Sequence, residues 1–177
     1  MYAGHNLSWA GVRAVTLRGG RNVLVPSAEA LGTSVHNVIE RQRVSSGAPL
    51  ESVVGYCRAV RVGDRVIVGG TAPIWPDGHV DPDVEVQARR CLEIIGAALE
   101  QLGASFADVV RTRLYLVDAA DIDAVGRVHG AVFGSVRPVC TGVVVSALLD
   151  AAWRIEIEAE AIVDTDGAAD RQPSTST

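Results

Sequence analysis

The sequence predicts an α+β domain in which one β-sheet carries two helices on a single face. Three observations lead there. Between residues 41 and 164, β-type and helical runs follow one another in the order β-β-α-β-α-β-β. The run "WRIEIEAEAIV" alternates strictly, with Ile155, Ile157, Ala159 and Ala161 on one face and Glu156, Glu158 and Glu160 on the other. That is the pattern of a strand covered on one side. The stretch "DVEVQARRCLEIIGAALEQLG" spaces Val86, Leu92, Ile95, Ala98, Leu99 and Leu102 as the apolar stripe of an amphipathic helix.

The elements follow in order. "GYCRAVRV" and "RVIVGGTAP" are two strands joined by Gly63 and Asp64, a two-residue hairpin signal. "IWPDGHVDP" is loop, with turn chemistry at Pro76, Asp77 and Gly78. Trp75, between two prolines, suits either a pocket lid or an anchored loop. Asp83 caps a helix that runs to about Gly103 and places Cys91 beside buried positions. "DVVRTRLYLVD" alternates as a strand over 109–117, and a second helix covers 121–133. "PVCTGVVVSAL" and "WRIEIEAEAIV" complete the sheet. No third layer is left to cover an apolar second face, so the sheet is expected to be buried by oligomerisation.

Residues 1–40 mix glycine, serine and short apolar patches, and are expected to form a poorly ordered N-terminal extension. Residues 41–164 are the working domain, and the small, polar stretch 165–177 is expected to be a disordered tail. With 48% apolar and 21% charged residues the composition is that of a globular protein. Neither a membrane-length apolar run nor a secretory signal pattern is visible, so a cytoplasmic location is expected.

All sixteen basic residues are arginine. Without lysine there is no Schiff-base chemistry and no Walker-type phosphate loop. A net charge of −5 with dispersed arginines argues against nucleic acid as a partner. Cys57, Cys91 and Cys140 are widely spaced, and His5, His36, His79 and His129 are scattered. The spacing matches neither a disulfide framework nor a zinc site, so neither a metal nor another cofactor is expected.

Five stretches taken together resemble the reactive-intermediate deaminase (RidA/YjgF) family: "GYCRAV", "VGGTAP", "DGHV…VQARRCLEIIGAALEQLGAS…DVVRTRLYLVD", "RVHGAVFG…RPVCT" and "RIEIEAEA". The resemblance covers about residues 43–163. It implies a chorismate-mutase-like fold, a homotrimer, and hydrolysis of a small imine or enamine without cofactor at clefts between subunits. An alternative is a small-molecule-binding trimer that has lost catalysis. A ribonuclease activity, sometimes attached to this family, fits the acidic chain least.

The same resemblance implies site residues. Glu156 corresponds to the acidic residue associated with the catalytic water, with Glu158 as the neighbouring choice. Gly70 and Thr71 correspond to backbone and hydroxyl groups offered to substrate or water, and Tyr56 to a tyrosine facing the pocket. Arg127 falls near a polar position of the second helix. Cys140 and Thr141 line the cleft, and Cys140 stands where deaminase members carry an arginine that grips the substrate carboxylate. A thiol offers neither the charge nor the planar fork of a guanidinium. With no histidine evidently placed to activate it, Cys140 is expected to fill space and not to act as a nucleophile.

Overall fold

The computed structural model describes residues 12–16, 22–26 and 40–164. The chain divides into two compact units, 1–38 and 39–177. In the first, strands β1 (Val12–Thr16) and β2 (Asn22–Pro26) pair antiparallel, with Val12 opposite Pro26 and Thr16 opposite Asn22. This hairpin falls within the expected extension, where the two valine-containing runs are too short to show a period. The rest of that extension and the expected tail lie outside the described residues.

The second unit holds a six-stranded sheet in the order β3-β4-β5-β8-β6-β7. Its strands are β3 (Arg41–Val44), β4 (Ala59–Val62), β5 (Arg65–Thr71), β6 (Val109–Leu116), β7 (Val139–Val144) and β8 (Ile155–Ile162). Neighbours are antiparallel except β6 and β7, which run parallel across helix α3 (Ile122–Phe133). The expected β-β-α-β-α-β-β order is present, preceded by edge strand β3 and the short helix α1 (Leu50–Val54). α1 ends on Gly55 at φ 81°, and the chain enters β4 only at Ala59, four residues later than the sequence suggests.

Local chemistry explains the remaining boundaries. The β4–β5 turn uses Gly63 at φ 64° and Asp64, with Val62 opposite Arg65. Asp83 caps helix α2 (Val84–Gln101), its Oδ1 accepting from Glu85 N at 2.7 Å and Val86 N at 3.2 Å. The buried stripe of α2 runs through Val84, Gln87, Ala88, Cys91, Leu92, Ile95, Ala98 and Leu99. Val86 lies beside this stripe, so the first turn is phased two residues earlier than the apolar pattern implied. Both helices cover the sheet face that carries Val66, Val68, Leu114, Leu116, Ile155, Ile157 and Ala159. Trp75 belongs to an anchored loop: the Arg90 guanidinium stacks 5.5 Å from its ring centre while Nε donates to the Ile74 carbonyl.

The second sheet face differs from the apolar surface expected. Arg113 donates to Glu158 at 3.0 Å, and Arg111 and Arg65 lie 3.4 and 3.6 Å from the Glu160 carboxylate. Arginines of β5 and β6 meet the glutamates of β8 because β8 lies between them, which makes a charge ladder. Ile67, Val110 and Val143 remain exposed.

Candidate active site

Strand β5 begins as an ordinary half-buried strand and then meets two glycines. Between the pairs Val68–Ala159 and Thr71–Ile157, β5 advances three residues while β8 advances two, so Gly69 and Gly70 form a bulge. The missing side chains let the Glu156 carboxylate lie against the β5 backbone. A Cβ built on Gly70 would stand 2.1 Å from Glu156 Oε1. Any residue larger than glycine must displace the carboxylate.

The bulge is held by Arg58, which precedes β4. Its Nη1 donates to the Gly70 carbonyl at 2.5 Å, to Thr71 Oγ1 at 3.1 Å and to the Gly69 carbonyl at 3.4 Å. Thr71 is fully buried, and its hydroxyl donates in turn to the Gly69 carbonyl at 2.9 Å. That hydroxyl, accepting from Arg58 and donating to Gly69, is already used within the chain. Thr71, expected to present its hydroxyl to substrate or water, is buried and makes two hydrogen bonds within the chain, which also support the bulge.

Burial raises the Glu156 carboxyl above the ordinary carboxylate range, the charge of Glu158 adds to this, and Arg58 opposes it. A half-buried carboxylate of raised proton affinity can hold a water and accept its proton near neutral pH. Cys91, below on α2, has its thiol pushed far up by burial and is held as the inert thiol. Beside this group, on the open sheet face, a shallow depression of about 100 Å³ lies among Ile67, Gly69, Arg111, Arg113, Glu158 and Glu160.

The remaining sequence candidates lie elsewhere in the chain. Tyr56 is 42% exposed, directly after the Gly55 cap of α1. Cys140 and Thr141 sit on β7, an edge strand whose residues are all exposed. The register sets Cys140 opposite Thr112 and Glu156 opposite Tyr115, so within one chain the thiol and the carboxylate are three positions apart along β6, on different neighbours of that strand. Arg127 is exposed and donates to Glu85 at 2.6 Å, joining α3 to α2. That ion pair, made on the helical layer, gives Arg127 a partner within the chain. Arg58 was missed from sequence, where one arginine between a cysteine and an alanine reads as surface. The signal was the Gly69–Gly70 pair, since adjacent glycines in a strand mark close backbone approach.

Comparison with known proteins gives this geometry its family. Residues 46–163 match the family described as Endoribonuclease L-PSP. A Streptomyces coelicolor protein is 41% identical over 123 residues, which are 68% of this chain and 90% of the relative. The chain belongs to the YjgF/Rid family. A solved Mycobacterium tuberculosis member of the YjgF/YER057c/UK114 family is 46% identical, covers 70% of this chain and all of its own, and superposes with a TM-score of 0.65. The 2-iminobutanoate/2-iminopropanoate deaminase of Escherichia coli is 33% identical over 79 residues, which are 44% of this Rid chain and 62% of that enzyme. The α+β fold, one mixed sheet with two main helices, is thus the YjgF fold.

Proposed function

We propose that this Rid protein hydrolyses a small imine or enamine, without cofactor, at a cleft formed between copies of the chain. The observation that carries the reading is the contact between the raised-affinity Glu156 carboxylate and the side-chain-free bulge at Gly70. The C=N nitrogen takes up a proton from solvent, and Glu156 accepts a proton from water as the hydroxyl adds to the C=N carbon, giving a carbinolamine. Glu156 then returns its proton to nitrogen, and the C–N bond breaks as the carbinolamine hydroxyl loses its proton to solvent, leaving a carbonyl product and ammonia. Gly70 leaves room for the Glu156 carboxylate that holds the water, Thr71 supports the bulge, and Tyr56 orients the ligand. The separation of Cys140 from Glu156 within one chain favours a cleft whose second wall, with Cys140 and Thr141, comes from a neighbouring copy in a trimer. Three free thiols suit a reducing, cytoplasmic setting.

The substrate is expected to be a C=N compound without a carboxylate at the usual place, or one held there by another group. A second reading, a ligand-binding trimer without turnover, is favoured by Cys140 in place of the carboxylate-gripping arginine. Imines generated in place by an amino-acid oxidase or an amine oxidase, in competition with semicarbazide, separate the two. Protein-dependent loss of semicarbazone from either source supports hydrolysis; unchanged semicarbazone from every imine, with ligand protection against heat, supports the binder.

A further inference from the structure

Arg58 is the charged group that the sequence did not single out. The guanidinium makes no ion pair among the described residues, although eight ion pairs are formed by other arginines. Its Nε is buried with no hydrogen-bond partner. A buried donor left unsatisfied costs stability, and such a group calls for an explanation. Its Nη1 has three acceptors, all in the Gly69–Thr71 bulge. The fold therefore tolerates an unused buried donor to keep a cation at this one place.

We propose that Arg58 is a positioning residue for the Glu156 site: it clamps the bulge so that Gly70 stays against the carboxylate, and it fixes a positive charge beside that carboxylate. The proposal rests on the hydrolytic reading for its consequence in turnover, but the clamp and the charge can be read without it. The groups around Glu156 are few. Glu158 on β8 raises its proton affinity, Arg58 lowers it, and the neutral Tyr115 of β6 and Cys91 of α2 are close enough to be coupled to it. Arg58 is thus the cation that opposes burial and Glu158.

The test uses the full chain. The Glu156 carboxyl is titrated by carbon NMR in wild type, Arg58→Gln and Arg58→Lys, with Glu156→Gln identifying the signal, and the pH profile of kcat/KM is followed in parallel. In Arg58→Gln the Glu156 titration and the acid limb of the profile should both move to higher pH, with kcat/KM down by about tenfold to a hundredfold. Arg58→Lys should keep the titration near wild type while losing turnover, because its ammonium falls one bond short of the place that Nη1 holds among the three acceptors and lacks the rigid planar fork. A Glu156 titration unmoved in Arg58→Gln, with kcat/KM within twofold, would overturn the proposal. If Arg58→Gln does not fold, Arg58→Lys decides: full wild-type turnover refutes the clamp. If the wild type hydrolyses nothing, the functional reading fails, and an unmoved titration still counts against Arg58 by itself.

Discussion

Glu156 carries a cost that its proposed task explains. Its folded-state proton affinity is raised, so the folded chain binds that proton more tightly than the unfolded one. The associated stability is fully present below the ordinary carboxylate value and is lost as pH rises through the raised one. Once ionised, the half-buried group is a liability. Glu156→Gln should therefore raise the melting temperature at pH 7–8, and the gain should shrink as pH falls toward about 4. Thermal scans of both proteins across that range check the sign. Gly70→Ala acts on the same contact from the other side: its Cβ would meet the far end of a flexible side chain, so the carboxylate moves and the backbone stays. Turnover should drop by about a hundredfold with little change in melting temperature. Cys140 lies outside this contact, exposed on β7. Cys140→Ser should leave turnover within a few-fold, whereas Cys140→Arg should tighten 2-keto acid binding by about tenfold to a hundredfold, measured by calorimetry.

At the scale of elements, the segment between β7 and β8 is tied down by one buried amide. Gln87 Nε2 donates to the carbonyls of Asp81 and Ala152 at 2.7 and 2.9 Å, and its Oε1 accepts from Arg154 N at 2.8 Å. Arg154 in turn grips the buried Asp121 with Nε and Nη2. Gln87→Leu should cost about 2–4 kcal/mol, since it strands three backbone groups, and urea unfolding measures this. Elements with a local chemical signal were legible in the sequence: the Gly63–Asp64 hairpin, the Asp83 cap, and the strict alternation of β8. β3 was not, because "RQRV" offers a single buried residue, Val44, at a sheet edge. Nor was α1, whose five residues bury none of their number and so carry no amphipathic stripe. Glu156 and Gly70 are candidates through the family resemblance; that they touch was not legible, because the contact depends on a bulge. The internal partners of Thr71 and Arg127 were not legible either, since hydrogen bonds made across the fold leave no trace in local spacing.

For the whole molecule, the open sheet face is the feature that a single chain leaves unexplained. Arginines of β5 and β6 and glutamates of β8 form a ladder there, with Ile67 and Val143 exposed beside it. A face of paired charges and scattered apolar groups suits a polar, specific contact between copies. Sedimentation equilibrium at micromolar concentration should give three times the chain mass, and Arg113→Glu, which sets like charges against Glu158, should shift the protein toward monomer. A wild-type monomer would contradict the proposed cleft between copies. No helix among the described residues is long and apolar enough to cross a membrane. The central claim, that water activated by Glu156 hydrolyses a C=N bond at this site, is tested most directly by one rate. Ammonia release from the best imine is measured for wild type and Glu156→Gln at matched concentration and assembly state. The account predicts a fall of about a thousandfold or more in Glu156→Gln. A variant that is folded, assembled and within about tenfold of wild type would contradict it.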